Sequence, residues 1–177
     1  MPGMILGKSN RPESGTTLAE VLVAATVCAI FFGGVFELNA VCLRLINASK
    51  EGVAATECVQ DRLEQLRNLS YATLVDTGKL TDLLTTPPNA SSLPLRATET
   101  VTLSRFQNGV ATGPFITFTR GPGASVPPVH TPNPGGAVDF TNVSLVEADI
   151  TYNWTSALGA ISHRETTSTI ISDGAKK

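Results

Sequence analysis

The fold of this chain is decided by one stretch, Gly15-Thr-Thr-Leu-Ala-Glu20-Val-Leu-Val-Ala-Ala-Thr-Val-Cys-Ala-Ile-Phe-Phe-Gly-Gly-Val-Phe36. From Leu18 onward it is apolar or small throughout, apart from Thr26 and Glu20. At a rise of about 1.5 Å per residue, a helix of about 20 residues crosses the hydrocarbon core of a bilayer, which is about 30 Å thick. We therefore predict a membrane-spanning helix over residues 16–37.

Glu20 is the one charged residue in this apolar run. A charge near the centre of a bilayer costs about 2.5 to 3.5 kcal/mol even on the scale that gives the lowest values. The acid is therefore a candidate functional residue. The alternative is a glutamate at a helix end, extended to the membrane interface and stabilised by the helix dipole.

A short polar leader, residues 1–15, precedes the helix and carries Lys8 and Arg11. Positive residues before an apolar segment favour a cytoplasmic N-terminus. A secretory signal peptide also has a basic start and an apolar run. This run is longer than a usual signal sequence, and no clear signal-peptidase site follows it, so we expect a different kind of processing or anchoring.

Beyond residue 37 the sequence becomes amphipathic. Apolar or small residues recur at spacings of three and four, which is the period of a helix with one apolar stripe. The stripe consists of Leu38, Val41, Leu45, Ala48, Gly52, Ala55, Val59, Leu63, Leu66 and Leu69. Charged residues, among them Glu51 and Arg62, lie mainly off it. We predict that the helix continues over residues 38–70 and that the stripe docks on the rest of the chain.

The second half of the chain is predicted to be β-rich. Residues 71–92 form a connector with a short turn at 81–84, and residues 93–177 form the globular domain. Strand-like segments rich in Thr, Val and Phe occupy residues 93–106, 115–120 and 160–172. Between them, residues 121–136 contain nine Gly or Pro and no periodicity. That segment is predicted to be a flexible exposed loop.

The clearest strand is the segment 145–154. Its residues Val146, Ala148, Ile150, Tyr152 and Trp154 alternate with mostly polar neighbours, which indicates one buried and one exposed face. We expect the aromatic pair to pack against the helix stripe, and Ser156 to Gly159 to form the following turn. The fold class is therefore α+β, with a long N-terminal helix packed on a small antiparallel sheet.

Nothing in the sequence indicates catalysis. The histidines, His130 and His163, stand apart, and no motif offers metal ligands or a phosphate-binding loop. Glu147 and Asp149 share one strand face, which is typical of solvated acids. We expect no enzyme activity, no cofactor and no metal site. The net charge of −2 and the lack of a Lys/Arg cluster predict no direct nucleic-acid binding.

The three cysteines, Cys28, Cys42 and Cys58, lie in the predicted helix. Their spacings along it correspond to about 21 and 24 Å, whereas a disulfide needs Cα atoms within about 7 Å. No pair can therefore form within the helix. We expect small buried apolar residues, with crosslinking between subunits as the alternative.

The residues Gly15-Thr16-Thr17-Leu18-Ala19-Glu20-Val21-Leu22-Val23-Ala24 resemble the processing motif of type IV pilins and of type II secretion pseudopilins. In that family a membrane peptidase cuts after the leader glycine, and the new N-terminal residue is methylated. An acid lies at the fifth mature position. The resemblance assigns the cleavage site to Gly15 and Thr16, methylation to Thr16 and filament assembly to Glu20. Thr16 stands where the family usually has an apolar residue.

The resemblance implies a structural subunit of a bacterial pilus or pseudopilus, anchored in the inner membrane before assembly. Its N-terminus would be cytoplasmic and its C-terminal domain periplasmic. The implied partners are other pilin or pseudopilin subunits, the prepilin peptidase and methyltransferase, the inner-membrane assembly platform and the lipid bilayer. The small domain without disulfides, and the similarity of its final hairpin to those of minor pilins, favour a minor subunit.

Two features of the helix acquire a role under this interpretation. In a bundle of helices, Glu20 would be buried and would need a positive partner, which the free amine of Thr16 on a neighbouring subunit can provide. Gly33 and Gly34 weaken the helix, since Gly costs about 1 kcal/mol relative to Ala. They indicate a point of helix flexibility, with close helix packing as the alternative.

Two other functions remain open at this stage. One is a single-pass membrane-anchored extracytoplasmic binding domain with an uncleaved signal anchor and a ligand at loop 121–136. The other is a secreted enzyme, which the missing catalytic residues disfavour.

Overall fold

The computed structural model of this protein describes residues 17–132, 140, 143–156 and 161–174. The chain divides into two compact units, residues 1–43 and residues 44–177. The long N-terminal helix of the predicted fold is confirmed: α1 runs from Leu18 to Asn68. The described part of the first unit is the N-terminal portion of this helix, and all other elements belong to the second unit.

Two short helices follow α1 in the second unit, α2 (Tyr71–Leu74) and α3 (Thr77–Thr85). The Asp76 carboxylate starts α3 by accepting hydrogen bonds from the backbone N–H groups of Gly78 (3.0 Å) and Lys79 (3.2 Å). Such an N-cap satisfies donors that the first turn leaves unpaired. The connector predicted with only a short turn at 81–84 therefore contains a nine-residue helix.

The predicted antiparallel sheet is also confirmed. The described residues form five strands in the order β3-β2-β1-β4-β5, and each neighbouring pair is antiparallel. The strands are β1 (Thr98–Gln107), β2 (Val110–Arg120), β3 (Val129–Pro132), β4 (Leu145–Thr155) and β5 (Ser162–Ser172). The first predicted strand begins later than expected, because Leu93–Leu95 is a 3₁₀ turn.

A tight hairpin joins β1 and β2 at Asn108 and Gly109. Both residues have positive φ, 52° and 81°, which is the backbone that a two-residue turn between antiparallel strands requires. Asn-Gly is the pair that adopts it at least cost. The sequence carried this signal, and the prediction of a strand starting only at residue 115 missed it.

The loop predicted over residues 121–136 needs a correction. Val129–Pro132 forms β3, which pairs with β2 and becomes one edge of the sheet. Val129, His130 and Thr131 are all exposed, so this short segment has no buried face that would make it stand out among the surrounding prolines. Residues 133–136 lie outside the described part of the chain, as does most of the predicted turn after β4.

The core of the second unit lies between the sheet and the C-terminal part of α1. The predicted buried face of β4 is confirmed, since Val146, Ala148, Ile150, Tyr152 and Trp154 are all buried. They pack with apolar residues of α1, α2, α3 and the other strands in one cluster.

The docked face of α1 differs from the predicted stripe. Burial in this helix begins at Glu51, and its buried residues are Glu51, Ala55, Cys58, Val59, Arg62 and Leu66. The predicted stripe residues Leu38, Val41 and Leu45 are exposed. Two charged residues expected off the stripe, Glu51 and Arg62, are thus part of the docked face, because oppositely charged partners meet them inside the domain.

Candidate functional site

The first unit exposes a continuous apolar surface. Its large side chains include Leu18, Ile30, Phe31 and Phe36, each at least 65% exposed. Folded domains rarely leave a contiguous apolar patch larger than a few hundred Å² in water. This portion of α1 therefore needs cover from lipid or from other apolar helices.

Length and composition make α1 a candidate membrane span. Its most apolar window has a mean hydropathy of 2.2, and none of that window is buried. A helix in the core of a soluble protein would be mostly buried. A signal sequence near an N-terminus can be equally long and apolar. The single long apolar helix is thus consistent with membrane anchoring.

Glu20 takes part in a reciprocal cap at the start of this helix. The Thr17 backbone N–H donates to Glu20 Oε2 (3.2 Å), and the Glu20 backbone N–H donates to Thr17 Oγ1 (3.3 Å). This capping box satisfies two donors that the first turn leaves unpaired. Both residues are exposed, so the carboxylate remains accessible to a partner that could replace the Thr17 amide.

The other residues predicted for assembly are placed as follows. Gly15 and Thr16, the predicted cleavage and methylation positions, lie outside the described residues. Gly33 and Gly34 lie within α1, and a Cβ added at either would meet no atom within 4 Å. Among the residues that the structure describes, no packing contact requires glycine at these two positions.

The second unit contains a buried ion network that was not predicted from the sequence. Glu99 on β1 accepts two hydrogen bonds from Arg62 on α1, at 2.6 Å from Nε and 3.1 Å from Nη2. It accepts a third from Nε of Arg120 on β2, at 2.9 Å. The three side chains are at most 1% exposed. The network therefore links the helix to two strands at the centre of the domain.

Gln65 and several backbone carbonyls accept further hydrogen bonds from the two guanidinium groups. Arg62 also donates to the carbonyls of Leu83 (3.3 Å) and Thr86 (2.7 Å), and Arg120 donates to the carbonyl of Gly123 (3.0 Å). Leu83 and Thr86 belong to α3 and its C-terminal end, and Gly123 follows β2. The two arginines thus add polar links to α3, whose Leu80 and Leu84 are already part of the core, and to the segment after β2.

A periodicity signal for this network existed in the sequence. Glu99 alternates with Ala97 and Val101, and Arg120 alternates with Phe118, so both charges fall on the apolar faces of their strands. A lone charge on the apolar face of a strand would indicate that the strand register had been assigned wrongly. One acid together with two bases indicates instead that the three charges neutralise one another. Arg62 and Glu99 are 37 residues apart in the sequence, so no local pattern indicated that they pair.

Tyr152 and Cys58 lie beside the network. Burial raises the pKa of the Tyr152 hydroxyl, and the negative charge of Glu99 raises it further. Burial also raises the pKa of the Cys58 thiol, partly offset by hydrogen bonds with Ser91 and Asn89. Neither the Tyr152 hydroxyl nor Nη2 of Arg120 has a hydrogen-bond partner among the described atoms. The hydroxyl of Tyr152 and the thiol of Cys58 are therefore kept protonated, which suits structural rather than nucleophilic roles.

The cysteine prediction holds for one of the three positions. Cys58 is buried, whereas Cys28 and Cys42 are exposed. These two lie on the part of α1 whose apolar residues have no cover within this chain.

A second polar link joins α1 to the last hairpin. Glu51 accepts from Nη2 of Arg96 (2.8 Å) and from the indole N–H of Trp154 (3.3 Å). His163 stacks on Trp154, with ring centroids 5.4 Å apart. The other histidine, His130 on β3, lies 6.1 Å from the ring of Phe118. The two histidines therefore occupy separate places.

The described residues bring no metal-ligating group together, since no cluster of three or more His, Cys, Asp or Glu occurs among them. Of the two acids on the outer face of β4, Asp149 is partly desolvated. Its pKa is raised by that burial and by the charge of Glu147.

Comparison of the chain with models of protein families, with curated proteins and with solved structures found no match.

Proposed function

We propose that this protein is a structural subunit, of the minor kind, of a type IV pilus or type II secretion pseudopilus. The precursor would be an inner-membrane protein with a cytoplasmic N-terminus and a periplasmic C-terminal domain. A prepilin peptidase would cut between Gly15 and Thr16, and Thr16 would be methylated. The mature subunit would then join a filament of similar subunits through α1 at the inner-membrane assembly platform.

The observation that carries this proposal is the first unit itself. From Leu18 to Phe36 it is an exposed apolar helix with one charged residue, Glu20, placed five residues after Gly15. In a membrane anchor the apolar surface alone would suffice, and the acid would do no more than cap the start of the helix with Thr17. A filament subunit uses both, since the same surface is covered by lipid before assembly and by neighbouring helices after it.

The chemistry of Glu20 favours an intersubunit partner. A carboxylate moved from water into an apolar bundle must be paired or protonated. In this chain its carboxylate binds only the local Thr17 amide among the described groups, which is a weak partner for a buried charge. A free amine at Thr16 of an adjacent subunit would supply the missing charge and fix the axial position of one helix relative to the next, as a polar residue fixes register in a coiled coil.

Mass spectrometry of the mature N-terminus tests the proposal. The chain would be purified from membranes of a bacterium that has a pilus or pseudopilus assembly system, and its N-terminal peptide would be sequenced. We expect a chain that begins at Thr16 and carries one added methyl group. A Gly15→Ala variant should stay uncut, whereas Gly7→Ala in the same leader should be processed normally.

A chain that keeps Met1 would contradict the proposal. It would support a single-pass membrane-anchored domain with an uncleaved signal anchor. In that case the apolar helix would serve as an anchor alone, and the function would belong to the sheet domain.

A further inference from the structure

A shallow depression with a volume of about 450 Å³ lies where β4 and β5 meet the start of β1. Three basic residues line it: Arg96, His163 and Arg164. Trp154 and Asn153 form part of its floor, together with hydroxyl groups of the three strands. The chain as a whole has a net charge of −2, so this concentration of basic groups is local.

Arg164 is the exposed cation of this depression. Its Nε donates to Thr166 Oγ1 at 3.2 Å, which orients the guanidinium group. Among the residues that the structure describes, no carboxylate forms an ion pair with it. Its terminal N–H groups therefore remain available to an oxyanion, for which the planar guanidinium fork is suited.

The side chains of Glu51 and Trp154 hold Arg96 and His163 in place. Arg96 is fixed by its ion pair with Glu51, and His163 stacks on Trp154, whose indole also binds Glu51. Glu51 compensates one positive charge of the depression, so Arg164 leaves it with a surplus. His163 and Trp154 thus lie on the core side of their strands, whereas Arg164 and Asn153 lie on the exposed outer face.

A second depression continues from this one across the outer face of the sheet, and the two share Asn153 and Arg164. Threonines occupy one row across four neighbouring strands: Thr119, Thr100, Thr151 and Thr166. Asp149 lies in the adjacent row, opposite Thr102. Thr100 and Thr166 of this row line the second depression together with Asn153 and Asp149. Thr151 also lines it but is only 8% exposed, and its hydroxyl is hydrogen-bonded to that of Thr166 (3.0 Å). The hydroxyl and amide groups can donate and accept hydrogen bonds, and the carboxylate can accept them.

We propose that the two depressions bind an acidic saccharide, with a sugar carboxylate on Arg164 and the sugar hydroxyls on the threonine row, Asn153 and Asp149. The chemistry at each end fits this one ligand class. The guanidinium group matches a carboxylate, and the polar row matches a polyhydroxylated ring. The proposal rests on the sheet domain alone and does not depend on how α1 is used.

The same observations disfavour a polynucleotide. Such a ligand is held by many phosphate contacts and by bases stacked on exposed aromatic rings. Here one free arginine faces the site, Trp154 is only 6% exposed, and Asp149 would repel a chain of phosphates. A saccharide with a single carboxylate places that charge on Arg164, away from Asp149, and uses the acid as a hydrogen-bond acceptor.

The test is a titration of the full-length chain in detergent micelles with a galactose oligomer that ends in one galacturonic acid. Binding is measured by isothermal titration calorimetry and by the fluorescence of Trp154. This is the only tryptophan of the chain, so its emission reports directly on the site. A neutral galactose oligomer of the same length and a single-stranded oligothymidylate are the comparison ligands. We expect saturable binding of the acidic oligomer and little binding of the other two.

Arg164→Gln should weaken binding of the acidic oligomer by about tenfold or more, because a charge-assisted hydrogen bond is lost. Lys79→Gln is the matched control, since Lys79 is exposed on α3 and lines neither depression. It should bind as the unchanged chain does. Circular dichroism should show that both variants keep the native secondary structure.

Three results would overturn the proposal. One is no binding of the acidic oligomer at millimolar concentration. Another is an equal loss in Lys79→Gln, which would indicate attraction by net charge rather than a site. The third is tighter binding of the oligothymidylate than of the saccharide, with the same dependence on Arg164, which would assign the site to nucleic acid. None of these results bears on cleavage after Gly15.

Discussion

Replacing Glu99 by glutamine tests whether the buried ion network holds the domain together. The variant keeps the shape of the side chain but leaves Arg62 and Arg120 without their shared counter-charge. Removing one partner of a buried ion pair costs about 3–5 kcal/mol, because the remaining charge is left uncompensated in a poorly solvated place. The carbonyls of Leu83, Thr86 and Gly123 still accept from the arginines, so we expect a loss within that range rather than twice as large.

The assay is urea unfolding of the full-length chain in detergent micelles, followed by the emission of Trp154. This residue is buried in the same domain. With a slope of about 2 kcal/mol per molar urea, the midpoint should fall by about 1.5–2.5 M. Glu57→Gln is the matched control. Its side chain is exposed on the same helix as Arg62, so its effect should stay within about 0.5 kcal/mol.

A third variant separates the charge from the space it fills. Replacing Arg62 and Arg120 by methionine and Glu99 by leucine removes all three charges together. An apolar replacement of a whole buried ion network is often neutral or stabilising. We therefore expect it to recover most of the stability that Glu99→Gln loses. Our reasoning would be refuted if Glu99→Gln unfolded within 0.5 kcal/mol of the unchanged chain, or if the apolar triple variant were the least stable of all.

Three further predictions concern other parts of the chain. Tyr152→Phe should be neutral or stabilising by up to about 1 kcal/mol, since its buried hydroxyl has no partner among the described atoms. The pKa of this hydroxyl is raised in the folded state, so the unchanged chain should lose stability as pH rises above about 10, by up to about 1.4 kcal/mol per pH unit. In urea titrations at pH 8 to 11, Tyr152→Phe should lack this pH-dependent loss of stability. Gly109→Ala should destabilise the hairpin by about 1 kcal/mol or more in the same assay, because its φ is 81°; Gly121→Ala, where a Cβ meets no atom within 4 Å, should not. Glu20→Ala should insert into membranes nearly normally but be depleted from sheared filaments, with Glu37→Ala as control; equal incorporation of both variants would contradict the assembly role of Glu20.

Periodicity made the main elements predictable from sequence. The strict alternation around Ile150 and Tyr152 located β4 and its buried face, and the apolar run after Leu18 located the start of α1. In both cases one local pattern, repeated over ten or more residues, determines which side of the element meets the core. The class of the fold follows from these two elements.

The elements that were missed depend on single residues rather than on repeated patterns. One carboxylate, Asp76, starts α3, and one dipeptide, Asn108-Gly109, closes the β1–β2 hairpin. These signals were present in the sequence and were local. β3 differs, because its pairing with β2 is a tertiary contact that no property of residues 129–132 specifies.

The helix pattern alone does not show which charged residues are buried. Arg62 lies between Val59 and Leu66 on the docked face, but a helical arginine is normally solvated, and only a partner from β1 makes its burial affordable. The same holds for Glu51, whose partners Arg96 and Trp154 come from distant segments. Polar groups in a core are specified by pairs, and a single sequence shows only one member at a time.

The network also has a mechanical consequence. Arg62 is bonded at once to the carboxylate of Glu99 and to the carbonyls of Leu83 and Thr86. A tensile force applied along this part of α1 would therefore be shared by β1 and the C-terminal end of α3. Several charge-assisted bonds would have to break together before the helix could slide. Under load we expect the helix and sheet to separate in one abrupt step at high force, rather than by gradual slippage of one apolar surface over another.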